Sequence, residues 1–140
     1  MALDSTARTH WEGDLMTGEG RVTGDSGALP TVSVDWKART EDHGGKTSPE
    51  ELLAAAHSAC FSMAFSSRLA KAGAASISLD VEATATFVVG QGVTTMRLLV
   101  RGDAEGIDRE KFEELALDAK ANCPISKALQ GNVEVTLELL

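Results

Sequence analysis

The stretch Ser48-Pro49-Glu50-Glu51-Leu52-Leu53-Ala54-Ala55-Ala56-His57-Ser58-Ala59-Cys60-Phe61-Ser62-Met63 reads as the opening of one long helix. Ser48 is placed to cap, Pro49 suits the first helical position, and Glu51 completes a capping box with Ser48. No glycine or proline then interrupts the chain until Gly73, a natural helix stop. The expected helix, Pro49–Ala72, is about 36 Å long. Its larger apolar residues, Leu52, Leu53, Phe61, Met63, Phe65 and Leu69, are spread around the axis among many alanines. A helix that is apolar on most sides is normally buried. A chain of 140 residues can hardly bury such a rod alone, so a second subunit is expected to cover part of it.

Working outward, the segment before this helix reads as short strands and turns. Trp11–Met16, Glu19–Thr23 and Thr31–Trp36 are expected strands separated by glycine-bearing turns, the third with Val32, Val34 and Trp36 alternating against polar neighbours. Residues 40–47 are polar and glycine-containing, which predicts a loop. After the helix, Ile77, Leu79, Val81, Ala83, Ala85 and Phe87 alternate strictly, and Gly90-Gln91-Gly92 turns the chain into Val93–Arg101 to make a hairpin. A second helix over about Arg109–Ala121 is capped by Asp108, a short turn follows from Pro124 to Leu129, and Val133–Leu139 alternates as a last strand. Helices and strands fall in blocks rather than βαβ units, so the class is α+β, and residues 1–140 are expected to form a single domain.

Composition excludes several functions. The hydrophobic fraction of 43% suffices for a core, and no run approaches the ~20 apolar residues that cross a bilayer. The polar beginning carries no secretory signal pattern, so the expected location is cytoplasmic, where thiols are kept reduced and a disulfide is transient or catalytic. A net charge of −8 without a basic stripe argues against a nucleic-acid partner.

Chemistry concentrates at the two cysteines. Cys60 lies on the long helix beside the small residues Ala55, Ala56 and Ala59, which leave room for a substrate; equally, a free cysteine is a common buried core residue. Cys123 precedes Pro124, and as a helix cap it would face unpaired backbone N–H groups that stabilise a thiolate; the alternative is an incidental thiol in a turn. Spacing alone does not bring the two together. If they meet, one thiolate attacks an oxidant to become a sulfenic acid and the other resolves it to a disulfide. An attacking thiol then needs a positive neighbour, because a free cysteine is only a few per cent thiolate at neutral pH. His57, one helical turn before Cys60, is either its partner or a polar helix residue bonded elsewhere. Arg39 is either that counter-charge or a solvated surface residue. Glu50 is too far along the helix to touch Cys60 of its own chain. In two antiparallel helices crossing near Ala55 it would face Cys60 of the other subunit; its alternative role is to favour the helix N-terminus. A metal site at His57 and Cys60 lacks further ligands.

These motifs carry a resemblance over nearly the whole chain. His10-Trp11-Glu12-Gly13-Asp14-Leu15 with Gly18-Glu19-Gly20, the Ser48–Met63 helix with Ala56-His57-Ser58-Ala59-Cys60-Phe61, and Ala119-Lys120-Ala121-Asn122-Cys123-Pro124-Ile125-Ser126 resemble the osmotically inducible protein C group of the OsmC/Ohr family, thiol-dependent organic hydroperoxide reductases. The resemblance implies an OsmC-like fold: a long central helix packed on antiparallel sheets within an intertwined homodimer whose active sites lie at the subunit boundary. It implies Cys60 as the peroxidatic thiol, Cys123 as the resolving thiol, Arg39 as the group holding the Cys60 thiolate, and Glu50 as the carboxylate pairing with Arg39; Arg21 is the competitor for the arginine role. His57 stands where a branch of the family carries tyrosine. Leu53, Phe61, Met63 and Phe65 would form an apolar lining for alkyl or lipid hydroperoxides. No cofactor is implied; the expected reductant is a dithiol donor, lipoyl-bearing proteins being among those the family uses. The rival reading is a non-catalytic, ligand-binding or stress-associated dimer with passive, buried cysteines.

Overall fold

Ser48 accepts a hydrogen bond from the Glu51 N–H at 3.1 Å, and from this cap the long helix runs over Pro49–Lys71. Gly73, at φ +97°, ends the helical path in a conformation that a side chain would strain. The computed structural model describes residues 1–140. Its elements, in order, are β1 (Ala7–Glu12), β2 (Glu19–Gly24), β3 (Val32–Val34), α1 (Trp36–Thr40), α2 (Pro49–Lys71), β4 (Ile77–Val88), β5 (Gly92–Ala104), α3 (Arg109–Asn122), α4 (Pro124–Leu129) and β6 (Glu134–Leu139). The architecture is α+β, with two three-stranded sheets and one long helix. The chain divides into two compact units, Met1–Leu52 and Leu53–Leu140.

In the first unit, β1, β2 and β3 form an antiparallel sheet in that order. β1 ends at Glu12 rather than running to Met16, because Asp14 builds a turn. Its carboxylate accepts the Thr17 N–H at 2.8 Å and the Thr17 hydroxyl at 2.9 Å, while Gly13 sits at φ +94°. The third expected strand is also cut short. Asp35 accepts the Ala38 N–H at 2.6 Å and caps a short helix, so Trp36 and Arg39 lie on α1 rather than on or just after a strand. The 40–47 segment then returns to β3, where the Thr47 N–H donates to the Ser33 carbonyl at 2.9 Å.

In the second unit, β4 and β5 form the long antiparallel hairpin that alternation predicts, with a register shift at Thr86/Phe87. β6 joins β5 in parallel, which makes this sheet mixed rather than purely antiparallel. A parallel neighbour requires a crossover connection, and α3 with α4 supplies it. The core joins one side of α2 to the inner faces of β5 and α3: Phe61, Phe65, Leu69, Leu98, Val100, Phe112, Ala116 and Ala119 are all buried. Phe65 packs edge-on to Phe112 with ring centroids 4.8 Å apart. Along α2, Ala55, Ala56, Ala59, Met63, Ser67 and Ala70 remain exposed, a stripe of small and apolar residues at helical spacing.

Candidate functional site

Asp108 accepts the Lys111 N–H at 2.8 Å and starts α3, which ends at Cys123; Pro124 then begins α4 with Cys123 as its cap. This junction fixes the second thiol. The Cys123 sulfur accepts the Ser126 N–H at 3.4 Å and is wholly buried. From α2, Cys60 projects to the same place, and the two sulfurs lie 3.2 Å apart. Both thiols are free. An S–S bond is about 2.05 Å long, so closing it asks for an approach of only about 1.2 Å.

The two thiols are not equivalent. Burial holds the Cys60 thiol above its ordinary value; the Ile125 N–H works against this, while Cys123 adds to it. Burial also pushes Cys123 up, but the Ser126 N–H and hydroxyl, Cys60 and the Ile125 N–H all favour its thiolate and leave it below the ordinary value. The surroundings therefore favour negative charge on Cys123 over negative charge on Cys60. Only Cys60 keeps accessible surface.

Behind Cys123 stands a residue whose place was not legible from spacing. His57 is fully buried and its Nε2 lies 2.8 Å from the Ser126 hydroxyl, while its Nδ1 has no partner. Burial lowers its pKa and so favours the neutral ring. The sequence puts His57 on the Cys60 helix; it contains no signal for a bond to a residue 69 positions away.

In the first unit, Arg39 and Glu50 come together as the resemblance implies. The Arg39 Nε and Nη2 donate to one Glu50 oxygen at 2.9 and 2.8 Å. Glu50 is buried and its other oxygen, Oε2, has no partner. The Arg39 guanidinium also lies over the Trp36 ring, 6.0 Å from its centroid. Arg21 faces His10 across the β1–β2 pair.

The apolar candidates separate sharply. Met63 is 73% exposed and Leu53 half-buried, so both present surface to a ligand. Phe61 and Phe65 have no accessible surface: they are core residues, and a substrate has nothing of them to touch. On a helix, residues that flank Cys60 by one and five positions turn away from the sulfur's open side. No three His, Cys, Asp or Glu side chains converge as a metal-binding group, and no helix is long and apolar enough to cross a membrane.

With this fold and thiol pair defined, comparison with known proteins is direct. Residues 41–138 match the family model for OsmC-like protein. The chain is 36% identical to peroxiredoxin OsmC of Escherichia coli (strain K12), with 99% of both chains covered. It is 35% identical to the organic hydroperoxide resistance protein OhrB of Bacillus subtilis (strain 168), covering 86% of this chain and 88% of that one. Among solved structures, an organic hydroperoxide resistance protein OsmC from Legionella pneumophila superposes with a TM-score of 0.71 at 26% identity, covering 99% of this chain and 98% of the other. OhrB of Bacillus subtilis superposes with a TM-score of 0.69 at 29% identity, covering 96% and 98%. The chain belongs to the OsmC-like family.

Proposed function

We propose that this protein is a cysteine-based peroxidase that reduces organic hydroperoxides to alcohols. The observation that carries the reading is the 3.2 Å separation of two free thiols, one partly exposed and one buried. The names of the relatives, peroxiredoxin OsmC and organic hydroperoxide resistance protein, supply the substrate class.

The Cys60 thiolate attacks the distal oxygen of R–OOH. The O–O bond breaks, the alkoxide takes a proton and leaves as R–OH, and Cys60 becomes a sulfenic acid. The Cys123 thiolate attacks that sulfur, hydroxide leaves as water after taking a proton, and the disulfide closes. A dithiol donor, such as a lipoylated protein, then returns two electrons and two protons.

Cys60 is held as a thiol by burial, so its attack needs a counter-charge. The Arg39–Glu50 pair supplies one in a homodimer whose active sites lie at the subunit boundary. Arg39 favours the thiolate and orients the peroxide, and the spare Glu50 oxygen accepts from the bound peroxide or thiol. The exposed stripe Ala55, Ala56, Ala59 and Ala70 supports such a dimer, since small residues let two helices approach closely. Leu53 and Met63 are the apolar side chains with surface to offer an alkyl group. The 140 residues act as one functional OsmC-like domain in the cytoplasm.

Intact-mass measurement after one equivalent of an organic hydroperoxide tests this. The wild type loses two hydrogens, Cys123→Ser gains an oxygen, and Cys60→Ser does not change. An unchanged wild-type mass would leave the passive, ligand-binding dimer as the better account.

A further inference from the structure

His57 and Ser126 are buried polar groups that the peroxidase chemistry above does not employ, and they meet directly behind the resolving thiol. The His57 Nε2 lies 2.8 Å from the Ser126 hydroxyl, the Ser126 N–H donates to the Cys123 sulfur at 3.4 Å, and the Ser126 hydroxyl is among the groups that favour the Cys123 thiolate. The unpartnered Nδ1 fixes the direction of this chain. A proton on Nδ1 would bury an N–H with nothing to receive it, a costlier orphan than a bare lone pair. The proton therefore sits on Nε2 and is donated to the Ser126 oxygen. The Ser126 hydroxyl, its oxygen already occupied as an acceptor, then has its own proton free to turn toward the Cys123 sulfur.

We propose that His57 and Ser126 are a positioning pair that assigns the negative charge to Cys123, both when it closes the disulfide and when it leaves as the disulfide is reopened. This rests on the peroxidase reading and specifies its second half. Accessibility sets the direction of reduction: Cys123 has no exposed surface and Cys60 has some, so a donor thiolate attacks the Cys60 sulfur. The Cys60–Cys123 bond breaks and its electron pair goes to Cys123, where the Ser126 hydroxyl and N–H receive it. The donor's second thiol then attacks the mixed disulfide and releases Cys60. The donor departs as its own disulfide, and its two protons pass to the two cysteines. A leaving thiolate departs faster as its pKa falls, so the same bonds that make Cys123 anionic make the disulfide easy to reopen.

Two measurements test the pair. In a Cys60→Ser background, where Cys123 is the remaining thiol, thiolate absorption is followed against pH. Ser126→Ala and His57→Leu should each raise the midpoint by about one pH unit, a roughly tenfold loss of thiolate, for one hydrogen bond to a charged group. His57→Gln keeps an N–H near the Nε2 position and should restore most of it. With both thiols present, one equivalent of organic hydroperoxide is added in the presence of dimedone. The ratio of trapped Cys60 sulfenic acid to disulfide should rise about tenfold in Ser126→Ala and His57→Leu, and return toward the parent value in His57→Gln. Unmoved midpoints and ratios in both truncated variants would overturn the proposal. So would a His57→Gln protein that behaves like His57→Leu, since packing alone would then explain the histidine. A wild type inert to hydroperoxide would instead sink the peroxidase reading, and the titration would still decide whether the pair governs Cys123.

Discussion

Severing the Arg39–Glu50 pair is the sharpest perturbation of the first unit. Two guanidinium N–H groups converge on one buried carboxylate oxygen at 2.9 and 2.8 Å. Hydrogen bonds with charge on a partner contribute about 1.5–3 kcal/mol each, and roughly half of that when one charge is removed. Glu50→Gln keeps the shape and an acceptor oxygen, so the gross loss is about 2–3 kcal/mol. Arg39 is 30% exposed, and solvent screening reduces the net to about 1–2 kcal/mol. Glu50 also lies in the first turn of α2, where a negative charge is favourable by about 0.3–1 kcal/mol regardless of Arg39. A double-mutant cycle with Arg39→Met separates the two contributions, because the helix contribution cancels. Urea unfolding of wild type, both single variants and the double variant should give a coupling of about 1–2 kcal/mol, with Glu50→Gln alone lowering the midpoint by about 0.5–1 M. Arg39→Met should also react with hydroperoxide about tenfold more slowly, by loss of the counter-charge to Cys60. A coupling within about 0.3 kcal/mol of zero would refute the claim that these groups organise each other. Full-speed oxidation of Cys60 in Arg39→Met would remove the arginine from the chemistry.

Three further outcomes follow from the geometry. A Cβ on Gly102 would stand 2.4 Å from the Ser78 carbonyl oxygen and 2.8 Å from Leu79, so Gly102→Ala should destabilise the protein by about 2 kcal/mol in thermal or urea melts. His57 is buried with its pKa below the ordinary 6.5, so the unfolded chain binds its proton more tightly than the folded one. Stability should be intact above that value and fall as the solution is acidified through and below it, with a slope of at most about 1.4 kcal/mol per pH unit; His57→Gln should lose this component in melts across that range. Finally, Ala59→Glu places a carboxylate on the exposed side of α2 and should convert the proposed dimer to monomers in sedimentation, with loss of peroxidase activity.

The long helix was legible because its signals are local: Ser48 caps it, Pro49 and Glu51 open it, and Gly73 closes it within a residue of the expected end. The β4–β5 hairpin and the Asp108 cap were readable for the same reason. The elements depart from the local pattern where two local codes overlap. Val32, Val34 and Trp36 alternate as a strand would, yet Asp35 satisfies the Ala38 N–H, and the capping bond wins after three strand residues. At Trp11–Met16, the Asp14–Thr17 bonds favour a turn over continued pairing. The site was legible only as residue types in recognisable motifs. The parallel placement of β6 on β5, and the bond from His57 to Ser126, depend on which surfaces meet after folding, and periodicity has no bearing on that. Phe61 and Phe65 have the greasy character of a substrate lining, but their helical phase sends them into the core.

The thiols that meet at 3.2 Å are 63 positions apart along the chain, so a bond between them would tie off nearly half the polypeptide. Shrinking the freedom of the denatured chain by a loop of that size is worth about 4 kcal/mol to the native fold in the chain-entropy account. Each catalytic cycle would therefore alternate between a looser and a tauter molecule. The melting point itself becomes a gauge of how much of the protein awaits its electron donor.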